Sequence, residues 1–358
     1  MTDPRKIRVL VVDDSTVTRL FLVHLLESDP RICVIGTAND GQAAIDFIKL
    51  DKPDVVLMDV HMPRMDGFEA TRALMESTPL PIIICSSTLD TRDVAIAFQA
   101  LEVGAIACIE KPTGIQHPNF SEQARHLLET VKLMSEVRVV RRKARVPARP
   151  LPDAKTGGFD VATATVKLIG IGASTGGPPV LQTIFAGLPK DFPVPILVVQ
   201  HITPGFLRGM ATWLCDTTGM PVHIATHGLA PQPGHIYLAP DECHMGVNAF
   251  GEILLSDSPK EHHLRPAVSH LFRSLTKAFG PHTLGVLLTG MGRDGAEELK
   301  LMKDNGALTI AQDRESSVVH GMPGVAIALG GASLVLPPDK IAAVLIEQVK
   351  SRNGIVMN

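Results

Sequence analysis

The chain alternates short, unbroken apolar runs with longer helical patterns, and this alternation limits its possible folds more than any other feature. The early runs are IRVLVV, DVVLMD, PIIICSS and AIACIEK, and the later ones are VKLIGIGAS, PILVVQH, GHIYLAP and LGVLLTGMG. Unbroken apolar runs are typical of strands that are buried on both faces, and strands that alternate with helices form parallel sheets. The sequence therefore predicts an α/β protein with two doubly wound parallel-sheet domains.

A basic, proline-containing segment separates the two blocks and ends in a pair of glycines. Such a composition favours an extended linker over a packed element. The 358 residues suit about two domains. We expect a first domain at residues 1–130, a linker at 131–162 and a second domain at 163–352. The basic run is either a solvated hinge or a binding patch, and a hinge is favoured.

Composition narrows the class of protein. The net charge of −3 gives no general case for binding nucleic acid, and no apolar run approaches the ~20 residues of a membrane span. The five cysteines form no CxxC pair, which fits a reducing compartment, and Cys85 and Cys108 lie in apolar runs typical of buried positions. The start, MTDPRKIRVLVVDD, does not have the form of a signal peptide. We expect a cytoplasmic monomer without membrane insertion.

Polar residues follow the strands of the first block. Asp13 and Asp14 follow the first strand, Asp59 the third, Ser86 the fourth and Lys111 the fifth. The carboxyl ends of parallel strands meet at one edge of a sheet. Clustered carboxylates there suit Mg²⁺, and a lysine can hold the oxygens of an incoming phosphoryl group. Asp13 and Asp14 could instead cap the following helix.

The segments VVDDS, DVHMPRMDGFEA and IEKP resemble a response-regulator receiver domain across residues 5–125. The resemblance implies a flavodoxin-like fold with Asp59 as phosphoryl acceptor from a histidine kinase. It also implies that the three aspartates bind Mg²⁺, that Lys111 clamps the phosphate and that Ser86 is the switch hydroxyl. Cys108 stands where many receivers have Tyr or Phe, so a switch by aromatic rotation is not expected.

The second block carries a possible nucleophile. Ser174 lies in a G-x-S-x-G pattern at a strand end, where small residues allow a sharp turn that exposes the hydroxyl. A glycine-rich turn of this kind can also bind a nucleotide phosphate. His201 ends the next strand and could act as base, or could be a core or capping residue. Asp294 follows a later strand and could orient the imidazole, cap a helix, or do both.

The segments GASTGGP, QH, LLTGMGRDGAEEL and VVHGMP resemble the catalytic domain of the chemotaxis protein-glutamate methylesterases, the CheB family, across residues 165–348. The chain order Ser, His, Asp differs from that of ordinary α/β-hydrolases. The resemblance implies a Rossmann-like domain with a triad of Ser174, His201 and Asp294. It also implies that Thr175 lies beside the nucleophile and that the Met291 amide forms part of an oxyanion hole.

Several other residues lie in segments that resemble the family. His244 and Arg265 are expected near the rim of the active site, and Arg265 either binds the acidic receptor helix or forms an ion pair. His320 replaces an expected aromatic residue. A metal site is a minor alternative for three further histidines, which are His262, His263 and His270.

The leading hypothesis is therefore a phosphorylation-activated methylesterase of chemoreceptor glutamates that also deamidates receptor glutamines. The unphosphorylated receiver would block access to Ser174. Mg²⁺ is expected in the receiver, and no cofactor for ester hydrolysis. The alternatives are a non-catalytic module that binds receptor or kinase and acts as a phosphate sink, and a DNA-binding response regulator. The second block has no helix-turn-helix pattern, which argues against the latter.

Overall fold

The computed structural model describes residues 5–86, 98–137, 139 and 164–354. The chain divides into two compact units, Met1–Ala154 and Lys155–Asn358. In these described ranges, no helix combines the length and the hydropathy that crossing a membrane would require.

The first unit contains a five-stranded parallel sheet in the order β2-β1-β3-β4-β5. Its strands β1 to β5 are Ile7–Val12, Ile32–Ala38, Val55–Met58, Ile82–Ser86 and Ala107–Glu110. The named helices α1 to α4 are Thr16–Glu27, Gly41–Leu50, Gly67–Ser77 and Phe120–Ser135. Strands β3 and β4 are buried throughout, as unbroken apolar runs predict. The doubly wound parallel sheet is confirmed, with a flavodoxin-like strand order.

Three helix starts in this unit are set by local sequence. The side chains of Ser15, Asp40 and Asp66 accept hydrogen bonds from the third amide of α1, α2 and α3. Asp66 forms a reciprocal capping box with Glu69. Because Ser15 caps α1, neither Asp13 nor Asp14 occupies that capping position.

Helix α4 extends into the predicted linker. It ends at Ser135, and Val131 and Met134 on its inner face are buried in the core. Burial of apolar side chains holds this turn of helix on the first unit. We therefore propose that the linker begins after Ser135 rather than at residue 131. The rest of the predicted linker, residues 138 and 140–163, lies outside the described residues.

The second unit contains a seven-stranded parallel sheet in the order β14-β13-β12-β6-β7-β9-β8. Strands β6 to β9 are Leu168–Ala173, Ile196–Gln200, Val222–Ile224 and Ile236–Leu238, and β12 to β14 are Thr283–Leu287, Leu308–Gln312 and Leu334–Leu336. Strand β6 lies between β7 and β12. Strands β7 to β9 are therefore added on one side of β6 and strands β12 to β14 on the other, so the strand order reverses at β6. Such a switch point opens a crevice at the carboxyl ends of the strands, where ligands bind in this class of sheet.

Six α-helices complete the second unit within the described residues. Helices α5 to α10 are Gly177–Ala186, Leu207–Thr218, Val268–Phe279, Ala296–Asp304, Met322–Ala328 and Pro338–Asn353. An antiparallel hairpin, β10 at His244–Val247 and β11 at Ile253–Ser256, pairs outside the main sheet. The sequence did not predict this hairpin, whose inward residues Met245 and Ile253 join the core cluster around α7.

Candidate functional sites

The acidic residues of the first unit meet at the carboxyl edge of its sheet. Asp13 and Asp59 are buried directly after β1 and β3, and Asp14 beside them is exposed. Carboxylate oxygens of the three aspartates lie within 4.8 Å of one another. The Lys111 Nζ lies 2.6 Å from Asp13 Oδ2 and 2.8 Å from Asp59 Oδ1. The structure thus brings together the residues that strand ends predicted.

The donor set of this cluster fits a hard divalent cation. Burial raises the pKa of Asp59, a hydrogen bond from Lys111 opposes that rise, and the charge of Asp13 adds to it. The Lys111 pKa is lowered by burial, but its bonds to both carboxylates outweigh this effect and raise the pKa overall. Converging carboxylate oxygens in a partly buried pocket are the ligands that Mg²⁺ prefers, and a divalent charge relieves their mutual repulsion.

The remaining receiver positions lie around this cluster. Ser86 is buried at the end of β4, and its carbonyl accepts a hydrogen bond from the Lys111 amide at 2.7 Å. Gly67 packs so closely that a Cβ there would lie 2.1 Å from the Asp59 carbonyl oxygen. Cys85 is buried as predicted, whereas Cys108 is partly exposed because β5 is an edge strand.

In the second unit, Ser174 follows β6 at the switch point of the sheet. Its amide donates to the Thr289 carbonyl at 3.0 Å, and its own carbonyl accepts from the Gly177 amide at 2.8 Å. Gly176 adopts a φ of 77°, a conformation that glycine reaches without strain, and caps α5. The turn leaves Ser174 partly exposed at the strand tip, as the G-x-S-x-G pattern predicts.

His201 and Asp294 form a direct pair next to this turn. His201 follows β7, and its Nε2 lies 3.0 Å from Asp294 Oδ2. Asp294 is 1% exposed and also accepts hydrogen bonds from the first two amides of α7, those of Val268 and Ser269. Burial raises the pKa of Asp294, but the bonds from His201 and Ser269 outweigh it and lower the pKa to about 2. The carboxylate is therefore ionised at neutral pH and can stabilise an imidazolium.

Ser174 and His201 directly follow the paired strands β6 and β7, so their main chains lie side by side. The His201 amide donates to the carbonyl of Ala173, which precedes Ser174. Among the described residues, the Ser174 hydroxyl makes no hydrogen bond to either ring nitrogen of His201. Because Nε2 faces Asp294, Nδ1 is the nitrogen available to accept the serine proton. Such hydrogen bonds are often long in the absence of substrate and shorten when it binds.

The loop after β12 contains the amide that is expected to stabilise the oxyanion. Gly290 packs against the nucleophile, since a Cβ there would lie 2.6 Å from Ser174 Cβ. The Gly290 amide donates to Val319, whereas the next amide, that of Met291, has no acceptor within the described part of the chain. The Thr175 carbonyl accepts from the Thr289 hydroxyl at 2.9 Å, which holds the peptide between Thr175 and Gly176. An unbonded amide in the residue directly after Gly290, which itself packs against Ser174, supports the role expected of Met291.

The structure gives His244 a position that does not suit substrate binding. Its side chain has no exposed surface. Its Nδ1 accepts from the Ala267 amide at 3.2 Å, and its Nε2 donates to the Pro259 carbonyl at 3.1 Å. Both ring nitrogens of His244 bind main-chain groups of the segment that leads into α7. We therefore propose that His244 stabilises the start of α7, whose first two amides donate to Asp294. The predicted rim position of His244 is wrong in this structure.

Arg265 is held by its own unit. Its guanidinium donates to the carbonyls of Asp257 and Ser258 and forms an ion pair with Glu242 at 3.1 Å. These contacts favour the ion-pair alternative over receptor binding. His320 is partly buried, and its Nδ1 lies 3.3 Å from the Ser317 hydroxyl. Its main chain forms an isolated parallel β-bridge with that of Gly290.

The three histidines considered as a minor alternative for a metal site do not form one cluster of possible ligands in the described residues. Only His270 belongs to a cluster of possible ligands in the described residues, and its neighbours there are His244 and Glu261. Both nitrogens of His244 already bind main chain, and Arg273 pairs with Glu261 at 2.5 Å. The positive charge that this carboxylate requires is therefore already present.

The fold and these two sites define a class: a two-unit α/β protein with an acidic receiver-type site and a serine-hydrolase-type site. Family profiles agree, with the response regulator receiver domain at residues 9–118 and the CheB methylesterase at residues 169–345. A protein-glutamate methylesterase/protein-glutamine glutaminase of Nitrosospira multiformis is 51% identical, covering 97% of this chain and 98% of its own. A protein of the same name from Geobacter metallireducens is 51% identical, covering 95% and 98%.

A solved structure is also similar to the second unit. The Thermotoga maritima CheB methylesterase catalytic domain is 41% identical with a TM-score of 0.50, covering 52% of this chain and all of its own. The chain belongs to the protein-glutamate methylesterase/protein-glutamine glutaminase family, in which a receiver domain precedes a CheB methylesterase domain.

Proposed function

We propose that this protein hydrolyses glutamate γ-methyl esters on chemoreceptors, deamidates receptor glutamines, and is activated by phosphorylation of its receiver domain. The observation that supports this most is the convergence of Ser174, His201 and Asp294 at the carboxyl ends of neighbouring strands in a family member. The activity gives adaptation in a chemotaxis-like two-component pathway.

Acylation follows from the arrangement of these groups. Ser174 Oγ attacks the ester carbonyl while Nδ1 of His201 accepts its proton, and Asp294 stabilises the imidazolium. The Met291 amide stabilises the developing oxyanion. His201 then protonates the departing methoxide, which leaves as methanol, and the acyl group stays on Ser174.

Deacylation uses the same residues in reverse roles. Water attacks the acyl carbonyl while His201 accepts its proton, and His201 then returns the proton to Ser174 Oγ, which leaves as the hydroxyl. For a glutamine substrate the leaving group is ammonia, and the acyl-enzyme is identical. Both activities therefore give the same glutamate product, and the chain supplies every group that moves a proton.

The receiver site has a separate chemistry. Asp59 accepts the phosphoryl group from a histidine kinase, with its carboxylate oxygen as nucleophile. Mg²⁺ bound by Asp13, Asp14 and Asp59 would neutralise the transferring oxygens. Lys111 holds a phosphoryl oxygen, and Ser86 responds as the switch hydroxyl. Phosphorylation shifts the population of the protein from a less active form to a more active form.

The other properties in this proposal concern the surroundings of the enzyme. We propose a monomer in the cytoplasm that binds no nucleic acid and does not insert into the membrane. Its domains are the receiver at residues 1–130, extended to Ser135 by the end of α4, and the catalytic domain at 163–352.

The test is methanol release from a methylated chemoreceptor, measured with and without acetyl phosphate as phosphoryl donor. We expect methanol release from the full chain and a higher rate with the donor. Absence of methanol release under both conditions, with cognate receptor and folded protein, would support the non-catalytic alternative.

Asp59→Asn is expected to remove stimulation by acetyl phosphate while leaving the unstimulated rate in place. An amide cannot accept the phosphoryl group, and it also weakens the cation site. The measurement is the ratio of the rates with and without donor. Asp46→Asn is the matched control, because Asp46 is an exposed carboxylate paired with Lys49. Full stimulation of Asp59→Asn would remove Asp59 from the proposal.

Gly290→Ala is expected to lower kcat by about 100-fold, because misplacing a reacting group by about 1 Å can cost this much. The new Cβ would lie 2.6 Å from Ser174 Cβ and 2.4 Å from Met322 Sδ. Methanol release and Tm are measured together. Gly114→Ala is the control, since no atom lies within 4 Å of a Cβ there. An unchanged kcat would show that the nucleophile can move freely.

A further inference from the structure

Gln200 connects the main chain of the nucleophile to that of the base. It is the last residue of β7, directly before His201, and is 4% exposed. Its Nε2 donates to the Ser174 carbonyl at 2.8 Å and to the His201 carbonyl at 2.7 Å. One side-chain amide thus uses both of its hydrogens to join these two peptides.

The orientation of this amide is fixed by its surroundings. The reverse orientation would place Oε1 against two carbonyl oxygens, which repel it. In the orientation found, Oε1 is buried and has no hydrogen-bond partner in the part of the chain that the structure describes. Native proteins rarely leave a buried acceptor unpaired, and such an exception calls for a functional or structural reason.

The space beside Oε1 is kept open by Gly177. A Cβ on Gly177 would lie 2.1 Å from Gln200 Oε1, so another residue here would displace the amide. The Gly177 amide also donates to the Ser174 carbonyl, which therefore accepts two hydrogen bonds. The nucleophile turn and Gln200 fit each other closely.

We propose that Gln200 is a positioning residue that sets the distance between Ser174 and His201. Asp294 orients the imidazole but makes no contact that fixes Ser174 relative to His201. No hydrogen bond joins Ser174 Oγ to His201 within the described residues, so this distance depends on the main chain. The inference rests on the methylesterase function proposed above.

The chain offers a matched control in Gln312. It is the buried last residue of β13, and its Nε2 donates to Ser316 at 3.0 Å. Its Oε1 accepts from the Thr289 amide at 2.8 Å. Gln312 therefore has the same residue type, burial and strand position, but it bonds to no member of the triad directly. Its connection to Ser174 runs through Thr289, whose carbonyl accepts from the Ser174 amide.

The experiment compares Gln200→Met and Gln312→Met in the full chain, since Met has a similar length and no donor. It measures kcat and KM for methanol release, Tm, and the rate at which an alkyl phosphonofluoridate modifies Ser174. For Gln200→Met we expect kcat to fall about 10- to 100-fold, KM to stay within about twofold, and modification to slow in parallel. For Gln312→Met we expect a lower Tm and a loss of kcat at least about threefold smaller than that of Gln200→Met.

Two outcomes would overturn the inference. One is a kcat for Gln200→Met within about threefold of wild type, and the other is an equal loss of kcat in both variants. If Gln200→Met does not fold, Gln200→Glu replaces it. A buried carboxyl group has a raised pKa, and its neutral form donates one of the two bonds. The ratio of the kcat of Gln200→Glu to that of wild type should then rise as the pH falls. A ratio that stays the same at every pH would contradict the proposal.

The phosphonofluoridate separates this inference from the proposed function. If wild type releases no methanol but its Ser174 is modified, the methylesterase function fails. The ratio of modification rates between Gln200→Met and wild type still tests the positioning role in that case.

Discussion

Replacing Ser174 by Ala is expected to reduce methanol release to background, a loss on the order of 10⁴- to 10⁶-fold in kcat. The acyl-enzyme cannot form without the hydroxyl, and His201 and Asp294 then have no nucleophile to activate. The remaining oxyanion donors give only weak catalysis by water. The assay uses methylated receptor with acetyl phosphate present, so that the proposed activation by phosphorylation does not limit the rate.

Ser351→Ala serves as the matched control, because Ser351 is exposed near the end of α10. It should retain the wild-type rate. The Tm of Ser174→Ala should stay close to that of wild type, since the hydroxyl makes no hydrogen bond within the described residues. Methanol release by Ser174→Ala well above background would assign the nucleophile to another residue.

Asp294→Asn is expected to lower kcat by roughly 10⁴-fold. In wild type, Oδ2 accepts from both His201 Nε2 and the Val268 amide, while Oδ1 accepts from Ser269. An asparagine that keeps the Ser269 bond places its NH₂ group against His201. The imidazole must then accept at Nε2 and carry its proton on Nδ1, so it cannot receive the proton of Ser174.

The same substitution should change how stability depends on pH. The Asp294 pKa is lowered from 3.8 to about 2 in the folded protein. A carboxyl group whose pKa is lowered by folding stabilises the folded protein at pH values above its unfolded-state pKa. This stabilisation is lost as the pH falls through the folded-state pKa. It is on the order of 2 kcal/mol at neutral pH. Asp294→Asn should therefore lose less free energy of unfolding than wild type does as the pH falls from about 4 to about 2.

Urea unfolding at a series of pH values measures this difference. Asp304→Asn is the control, because Asp304 is an exposed carboxylate at the end of α8 and pairs with Lys300. It should retain the wild-type dependence in this range. A wild-type kcat for Asp294→Asn would mean that the carboxylate only caps α7 and takes no part in orienting His201.

Strand ends explain why so much of both sites was predictable. Apolar runs mark buried strands, and in a parallel sheet the polar residue after each run lies on one known edge. This reasoning located Asp13, Asp59 and Lys111 in the first unit. It also located Ser174 and His201 in the second, because β6 and β7 follow one another and pair directly.

Contacts between distant segments were not predictable in the same way. The Val268 and Ser269 amides that bind Asp294 are 26 and 25 residues away in sequence. His244 was expected near the rim because its segment resembles one of the family, yet it packs against the start of α7 with no exposed surface. The hairpin of β10 and β11 has no long apolar run, so periodicity gave no signal for it.

The sequence by itself determined the two parallel-sheet units, the family and the residue types at the strand ends, because these depend on local apolar patterning and short motifs. Only the tertiary structure decided how those residues are held. Helix α7 binds Asp294 with main-chain amides, and Gln200 joins the peptides of Ser174 and His201. Any residue has an amide or a carbonyl, so main-chain hydrogen bonds leave no pattern in the sequence, and only packing shows which ones meet.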